Sequence, residues 1–281
     1  MRRFKQVDVF TDKPFLGNPV AVVIDAEGLD AAAMQRIACW TNLSETTFLL
    51  PSTKADYKLR IFTPRTELPF AGHPTLGTAH AALESGFVAR KGNLTQECAA
   101  GIFQLSVEEG KIFVLGPTPA ISEIDSARVG RALGVPAKGL LRIDVGAVWL
   151  IGELADAAQL AAMTPDLGLI AEESVKYGMA GVTVFAPSGE GDGKSAIHVR
   201  SFAPAHGIPE DPVCGTGNIA IAAYLAHTGQ GKRYGERYLA RQGMQVGRDG
   251  QVFMRFDRDG IRIGGPSVTC IDGSLTSKQT R

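Results

Sequence analysis

Short apolar runs separated by turn residues set the rhythm of the chain. "VAVVID", "ETTFLL", "KLRIFT" and "IFQLSVEEGKIFVL" occupy the first part, and "GAVWLIG", "GVTVFAP", "AIHVRSF" and "QVFMRF" the second. They are rich in β-branched residues and alternate over a few positions. Turn signals such as Glu109-Gly110 and Asp249-Gly250 fall between them. The pattern predicts short antiparallel strands. Two segments depart from it. "TLGTAHAAL" and "NIAIAAYLA" are small and apolar on nearly every face, and each follows a glycine turn. A helix without a polar face expects burial, which predicts one central helix inside a curled sheet in each part of the chain.

The two segments belong to longer copies of one another. From Arg60 the chain reads "RIFTPRTELPFAGHPTLGTAHAAL", and from Arg200 "RSFAPAHGIPEDPVCGTGNIAIAAYL". Both give Arg-x-Phe-x-Pro, then an acid, one residue, a proline, two residues and a glycine. The second copy carries three extra loop residues. Self-similarity of this kind is a statement about fold. The class expected is α+β, with two similar domains related by a pseudo-two-fold repeat, each a central helix wrapped by an antiparallel, barrel-like sheet. Two prolines and a glycine in "GPTPAISE" mark the linker. The domains are placed at 1–116, with 265–281 returning to the first, and at 117–264.

Composition narrows the function. Basic and acidic residues balance at 29 each, so the basic excess of a nucleic-acid or membrane-surface binder is missing. Two arginines near the N-terminus have no apolar stretch behind them, and no run approaches the roughly 18 apolar residues of a membrane span. The four cysteines are scattered without a CxxC pair, as expected of free thiols in the cytoplasm. A small-molecule protein with no nucleic-acid or membrane partner is the expectation.

Several familiar chemistries find no motif. "SGEGDGKSA" (188–196) has one residue too few for a phosphate-binding loop and joins two strand patterns, so it reads as a hairpin loop. The five histidines form no HExxH, and no GxSxG or GxGxxG stands in the right setting. Neither a metal nor a cofactor is expected. What remains are the two helix mouths, "AGHPT" and "CGTGN". Unpaired N–H groups and the helix dipole make such ends anion sites. Glycines 72, 215 and 217 would let a ligand approach the backbone, with His73 and Asp211 at the rims. Cys214 stands where a helix mouth could lower a thiol's pKa.

"VDVFTDKPFLGNPVAVV", "NLSETTFL", "RIFTPRTELPFAGHPTLGTAH" and "EDPVCGTGNIA" together resemble the phenazine-biosynthesis isomerase (PhzF-like) family, over nearly the whole chain. That family has the diaminopimelate-epimerase and proline-racemase fold. The resemblance implies an isomerase without metal or cofactor, an active site between the domains, and a homodimer. It places the catalytic residues on Glu45, His73 and Asp211, and the groups that hold the substrate carboxylate on Gly72 and Gly215. With Asn18, Cys214, Thr216 and Gly217 these glycines make the expected substrate-binding set. Thr216 stands where the family has a serine. Racemases of this fold use a cysteine at each mouth, but the first repeat has Ala71 opposite Cys214. The expected reaction is therefore proton migration within a small carboxylate-bearing substrate, of the trans-2,3-dihydro-3-hydroxyanthranilate isomerase type, with Glu45 as acid and base. Two alternatives stand beside it: an amino-acid or hydroxyproline racemase, epimerase or dehydratase using Cys214, and a non-catalytic protein that binds small acids.

Overall fold

The structure is a computed structural model and describes residues 1–189, 193 and 195–276. The chain divides into two compact units, Met1–Leu115 with the segment from Gly264 onward, and Gly116–Ile263. Of the returning segment 265–281, residues 277–281 lie outside the described residues.

In the first unit the elements run β1 (Arg2–Val9), β2 (Asn18–Val23), α1 (Ala31–Thr41), β3 (Thr46–Leu50), β4 (Tyr57–Phe62), β5 (Glu67–Leu68), α2 (Gly72–Glu84), β6 (Asn93–Cys98), β7 (Gly101–Glu108) and β8 (Lys111–Leu115). In the second they run β9 (Ala120–Ser122), α3 (Ala127–Ala132), β10 (Lys138–Asp144), β11 (Val148–Glu153), α4 (Ala157–Ala162), α5 (Leu167–Lys176), β12 (Gly181–Pro187), β13 (Ile197–Ala203), β14 (Ile208–Asp211), α6 (Gly215–His227), α7 (Gly231–Tyr234), β15 (Arg237–Gln242) and β16 (Gly250–Asp257). The chain closes with β17 (Gly260–Gly265) and β18 (Ser267–Leu275), and β18 pairs with β1.

The repeat holds strand by strand. The ladder β1-β2-β3-β4-β6-β7 has the same order and the same senses as β10-β11-β12-β13-β15-β16. The class is α+β, as the patterning predicts, but the sheets are mixed where antiparallel pairing was expected. β2–β3 and β4–β6 are parallel, as are β11–β12 and β13–β15. Helical crossovers join these pairs, and a crossover returns the chain in the same direction. The loop 188–196 joins the antiparallel strands β12 and β13, and its residues 190–192 and 194 lie outside the described residues.

Each central helix is the core of its unit. In α2, Leu76, Ala79, Ala81 and Ala82 are buried, and a side chain at Gly77 would collide with Val20 of β2. In α6 the run Ile219–Leu225 is wholly buried. Asp30, Asp156 and Asp166 cap α1, α4 and α5 through backbone N–H groups three residues on, the donors a helix start leaves unpaired. Among the described residues, no helix is long and apolar enough to cross a membrane.

Candidate active site: two helix mouths

Glu45 is delivered by the way α1 ends. Asn42 takes a left-handed conformation (φ 55°) and stops the helix, and β3 begins four residues later. A Thr41–Thr46 hydroxyl pair (2.6 Å) closes this turn, and the Glu45 carbonyl accepts from Ala21 N–H of β2 (3.3 Å). With its backbone held on both sides, the Glu45 side chain, 16% exposed, comes 3.2 Å from Nε2 of the nearly buried His73. His73 is the second residue of α2, so carboxyl and imidazole meet at the mouth of that helix. Burial pushes the Glu45 carboxyl above the usual carboxylate range, and a hydrogen bond from Ser44 partly opposes the shift.

Two features leave room for an anion there. Ala71, at the N-cap of α2, has no side-chain acceptor for the first-turn N–H groups. A Cβ on Gly72 would meet nothing within 4 Å. Asn18, the first residue of β2, is buried and pairs with Val9 of β1.

The second mouth is built differently. Asp211 ends β14 and pairs with Ser201 of β13, and its carboxylate accepts from Val213 N–H (3.0 Å). Gln242 of β15, fully buried, ties the loop together. It donates from Nε2 to the Asp211 carbonyl (3.0 Å) and accepts at Oε1 from Cys214 N–H (3.2 Å) and Asn218 Nδ2 (3.0 Å). The Cys214 sulfur caps α6 by accepting from Gly217 N–H at 3.3 Å. Thr216, partly buried, accepts from the Trp149 indole N–H at 2.9 Å.

The thiol is not activated. A helix mouth can lower a thiol's pKa, yet Cys214 is buried and raised well above its ordinary value. Desolvation is the main cause, with the negative charge of Asp211 adding to it and hydrogen bonds from Gly217, Thr216 and Ser201 acting in the other direction. Gly217 also differs from the reading that it opens the backbone to a ligand. A Cβ there would lie 2.8 Å from Thr183 Oγ1 and 3.1 Å from both Cys214 Sγ and Ser201 Oγ, so its missing side chain faces protein.

These two glycines make an internal comparison. Gly217→Ala is expected to lower stability by about 1–3 kcal/mol through overpacking against a hydrogen-bonded cluster. Gly72→Ala is expected to melt within a degree or two of wild type (~0.5 kcal/mol or less) while losing affinity for carboxylate ligands. Thermal melts and calorimetric titrations of both variants check the pair.

The structure thus brings Glu45, His73 and Gly72 together in the first unit, and Asp211 with Cys214, Gly215, Thr216 and Gly217 in the second. Sequence reading missed Trp149, Gln242, Asn218, Thr183 and Ser201. The repeat held a usable signal for Thr183, since Thr47 and Thr183 occupy the same register beside the doubled arginine strands. Among the described residues no cluster of three or more His, Cys, Asp or Glu could hold a metal ion.

A doubled mixed-sheet unit around a buried helix, with polar groups gathered at each helix mouth, is the architecture of the epimerase-like α+β isomerases. The chain belongs to the phenazine biosynthesis-like (PhzC-PhzF) family, whose model matches residues 7–273, and it is an isomerase of that family. Antisense-enhancing sequence 1 of Schizosaccharomyces pombe is 36% identical, with 96% of this chain and 97% of that one covered. The trans-2,3-dihydro-3-hydroxyanthranilate isomerase of Pseudomonas aeruginosa is 34% identical, with 96% and 95% covered. Among solved structures, a PhzF-family protein of Bacillus anthracis superposes with a TM-score of 0.86 at 28% identity, covering 98% and 99% of the two chains. A hydroxyproline epimerase of Agrobacterium vitis, 17% identical with a TM-score of 0.66 and 97% and 93% covered, shares the fold.

Proposed function

We propose that this isomerase moves a proton between two carbons of a small, carboxylate-bearing substrate, with Glu45 as the group that carries it. The observation behind this reading is the Glu45–His73 pair, 3.2 Å apart at the uncapped mouth of α2, with burial raising the carboxyl. First-turn N–H groups at the mouths of α2 and α6 hold the substrate carboxylate. Glu45 as carboxylate takes a proton from one carbon, and the electron pair left behind spreads toward the carboxylate. As carboxylic acid, Glu45 then returns the proton to a second carbon, so the product has the substrate's mass. A raised pKa strengthens the base and brings it nearer the working pH. N–H groups aimed at the enolate-like oxygen are present before the charge develops and stabilise it. His73 and Asp211 orient the substrate and relay protons. The substrate is a cyclic acid of the kind named for the Pseudomonas relative, and the working state is a cytoplasmic homodimer.

The test is incubation with trans-2,3-dihydro-3-hydroxyanthranilate and a panel of cyclic and amino acids, after extensive chelation and dialysis. One acid is expected to give a product of equal mass with a shifted double bond, with no loss of rate on dialysis. Mass change, or a requirement for added metal or flavin, contradicts the proposal.

Racemisation by thiols is the second reading, and the geometry argues against it. Cys214 is buried, raised in pKa and engaged as a helix cap, and its counterpart is Ala71. Serine caps a helix at least as well. Cys214→Ser is therefore expected to fold normally and to keep activity within a few-fold of wild type, measured as initial rates. A thiol base would lose nearly all of it.

A further inference from the structure

The second residue of each central helix is held by a partner, and the two partners differ. His73 and Thr216 occupy the same place in the repeat. His73 meets Glu45, but the strand position matching Glu45 is Gly181 in the second unit, as the ladders pairing Thr47 with Ile61 and Thr183 with Ser201 show. Thr216 is met instead by Trp149, from the β11 position that matches Val20 of β2. Where the first unit supplies an acid, the second supplies an indole.

We propose that Trp149 is a positioning residue that makes the Thr216 hydroxyl a dedicated hydrogen-bond donor to a ligand carboxylate at the mouth of α6. The inference rests on the reading that this mouth receives part of the substrate. An indole N–H only donates, whereas a hydroxyl both donates and accepts. With the indole N–H bonded to Thr216 Oγ1 at 2.9 Å, one hydroxyl lone pair is taken and the hydroxyl hydrogen turns away from the ring. Among the described residues, the other hydrogen-bonding contact of the hydroxyl is Cys214 Sγ at 3.7 Å, a weak acceptor. A carboxylate oxygen is a far better one and displaces it. Trp149 is itself fixed, being 4% exposed and paired in register with Ile143 of β10 and Gly181 of β12. Thr216 therefore donates from a direction set before the ligand arrives.

The experiment is a double-substitution cycle of Trp149→Phe and Thr216→Val in the full chain, read by indole N–H resonances and by anthranilate titration. The chain has two tryptophans, and Trp40 is 78% exposed, so the resonance lost in Trp149→Phe is unambiguous. Thr216→Val is expected to shift the Trp149 resonance in the free protein, and Thr216→Ser to leave it in place. Saturating anthranilate is expected to move it and not that of Trp40. Trp149→Phe is expected to weaken anthranilate binding by about tenfold in the wild-type background and by nothing further beside Thr216→Val, because coupled residues are not additive. An unmoved resonance in Thr216→Val, or equal losses in both backgrounds, overturns the inference while leaving the carboxylate reading intact. Wild-type protein that does not bind anthranilate at millimolar concentration overturns both. Should Trp149→Phe fail to fold, judged by its melt, the Thr216 variants read the same link from the other side.

Discussion

Glu45→Gln is expected to cut turnover by roughly 10²–10⁴-fold, the usual contribution of acid–base catalysis, with ligand affinity changed little. The amide keeps the shape of the carboxyl and cannot carry the proton. The loss should not be one of folding, and linkage gives the sign. Burial raises the folded-state pKa of Glu45 above its ordinary 4.5. The folded protein therefore holds this proton more tightly than the unfolded chain. The resulting stability is complete below 4.5 and is lost as pH rises through the raised folded value. Glutamine has no such loss, so the variant should be at least as stable as wild type near neutrality. Denaturant titrations at pH 4 and pH 7.5 beside initial rates check both halves. Activity within a few-fold of wild type removes Glu45 from the mechanism.

Glu210→Ala is expected to give the largest loss of stability, about 3–5 kcal/mol, because it strands a buried guanidinium. Arg200 and Glu210 side chains are only 8% and 11% exposed, and they pair through two parallel hydrogen bonds of 2.9 and 2.8 Å. Arg200 also donates to the carbonyls of Leu160 and Met163, fastening α4 and the chain beyond it to β13. The repeat provides the control. Arg60 and Glu67 form the same fork at 2.7 Å, but they are 25% and 36% exposed and screened by water. Glu67→Ala should therefore cost at most about 1 kcal/mol. Urea melts of the two variants read the contrast, and equal losses would refute the argument from burial. Because Glu210 directly precedes Asp211, its removal should also lower turnover more than Glu67→Ala does.

The doubled Arg-x-Phe-x-Pro stretch exposed the repeat, and the ladders repeat with it because equal patterns bury equal faces. Glu45 and His73 were legible through motif resemblance, and their meeting follows from α1 stopping at Asn42. The parallel strand pairs were not legible, since alternation encodes which face is buried and says nothing of strand direction. Trp149 and Gln242 escaped for another reason. Each touches the second mouth from a distant strand, and a buried indole or amide looks like ordinary core until its partner is placed. Cys214 shows a competition that sequence could not weigh. A helix mouth favours thiolate, but desolvation and the nearby Asp211 charge disfavour it more strongly.

Transfer of a proton by Glu45 is tested most directly by running the isomerisation in deuterium oxide and locating deuterium in the product. Between abstraction and return the proton rests on the Glu45 carboxyl as an O–H, the kind of proton that trades with solvent. Wild type and Cys214→Ser should therefore deliver deuterium to the receiving carbon, and Glu45→Gln should deliver none. Deuterium transfer that survives Glu45→Gln and disappears in Cys214→Ser would contradict the account and assign the proton to the thiol.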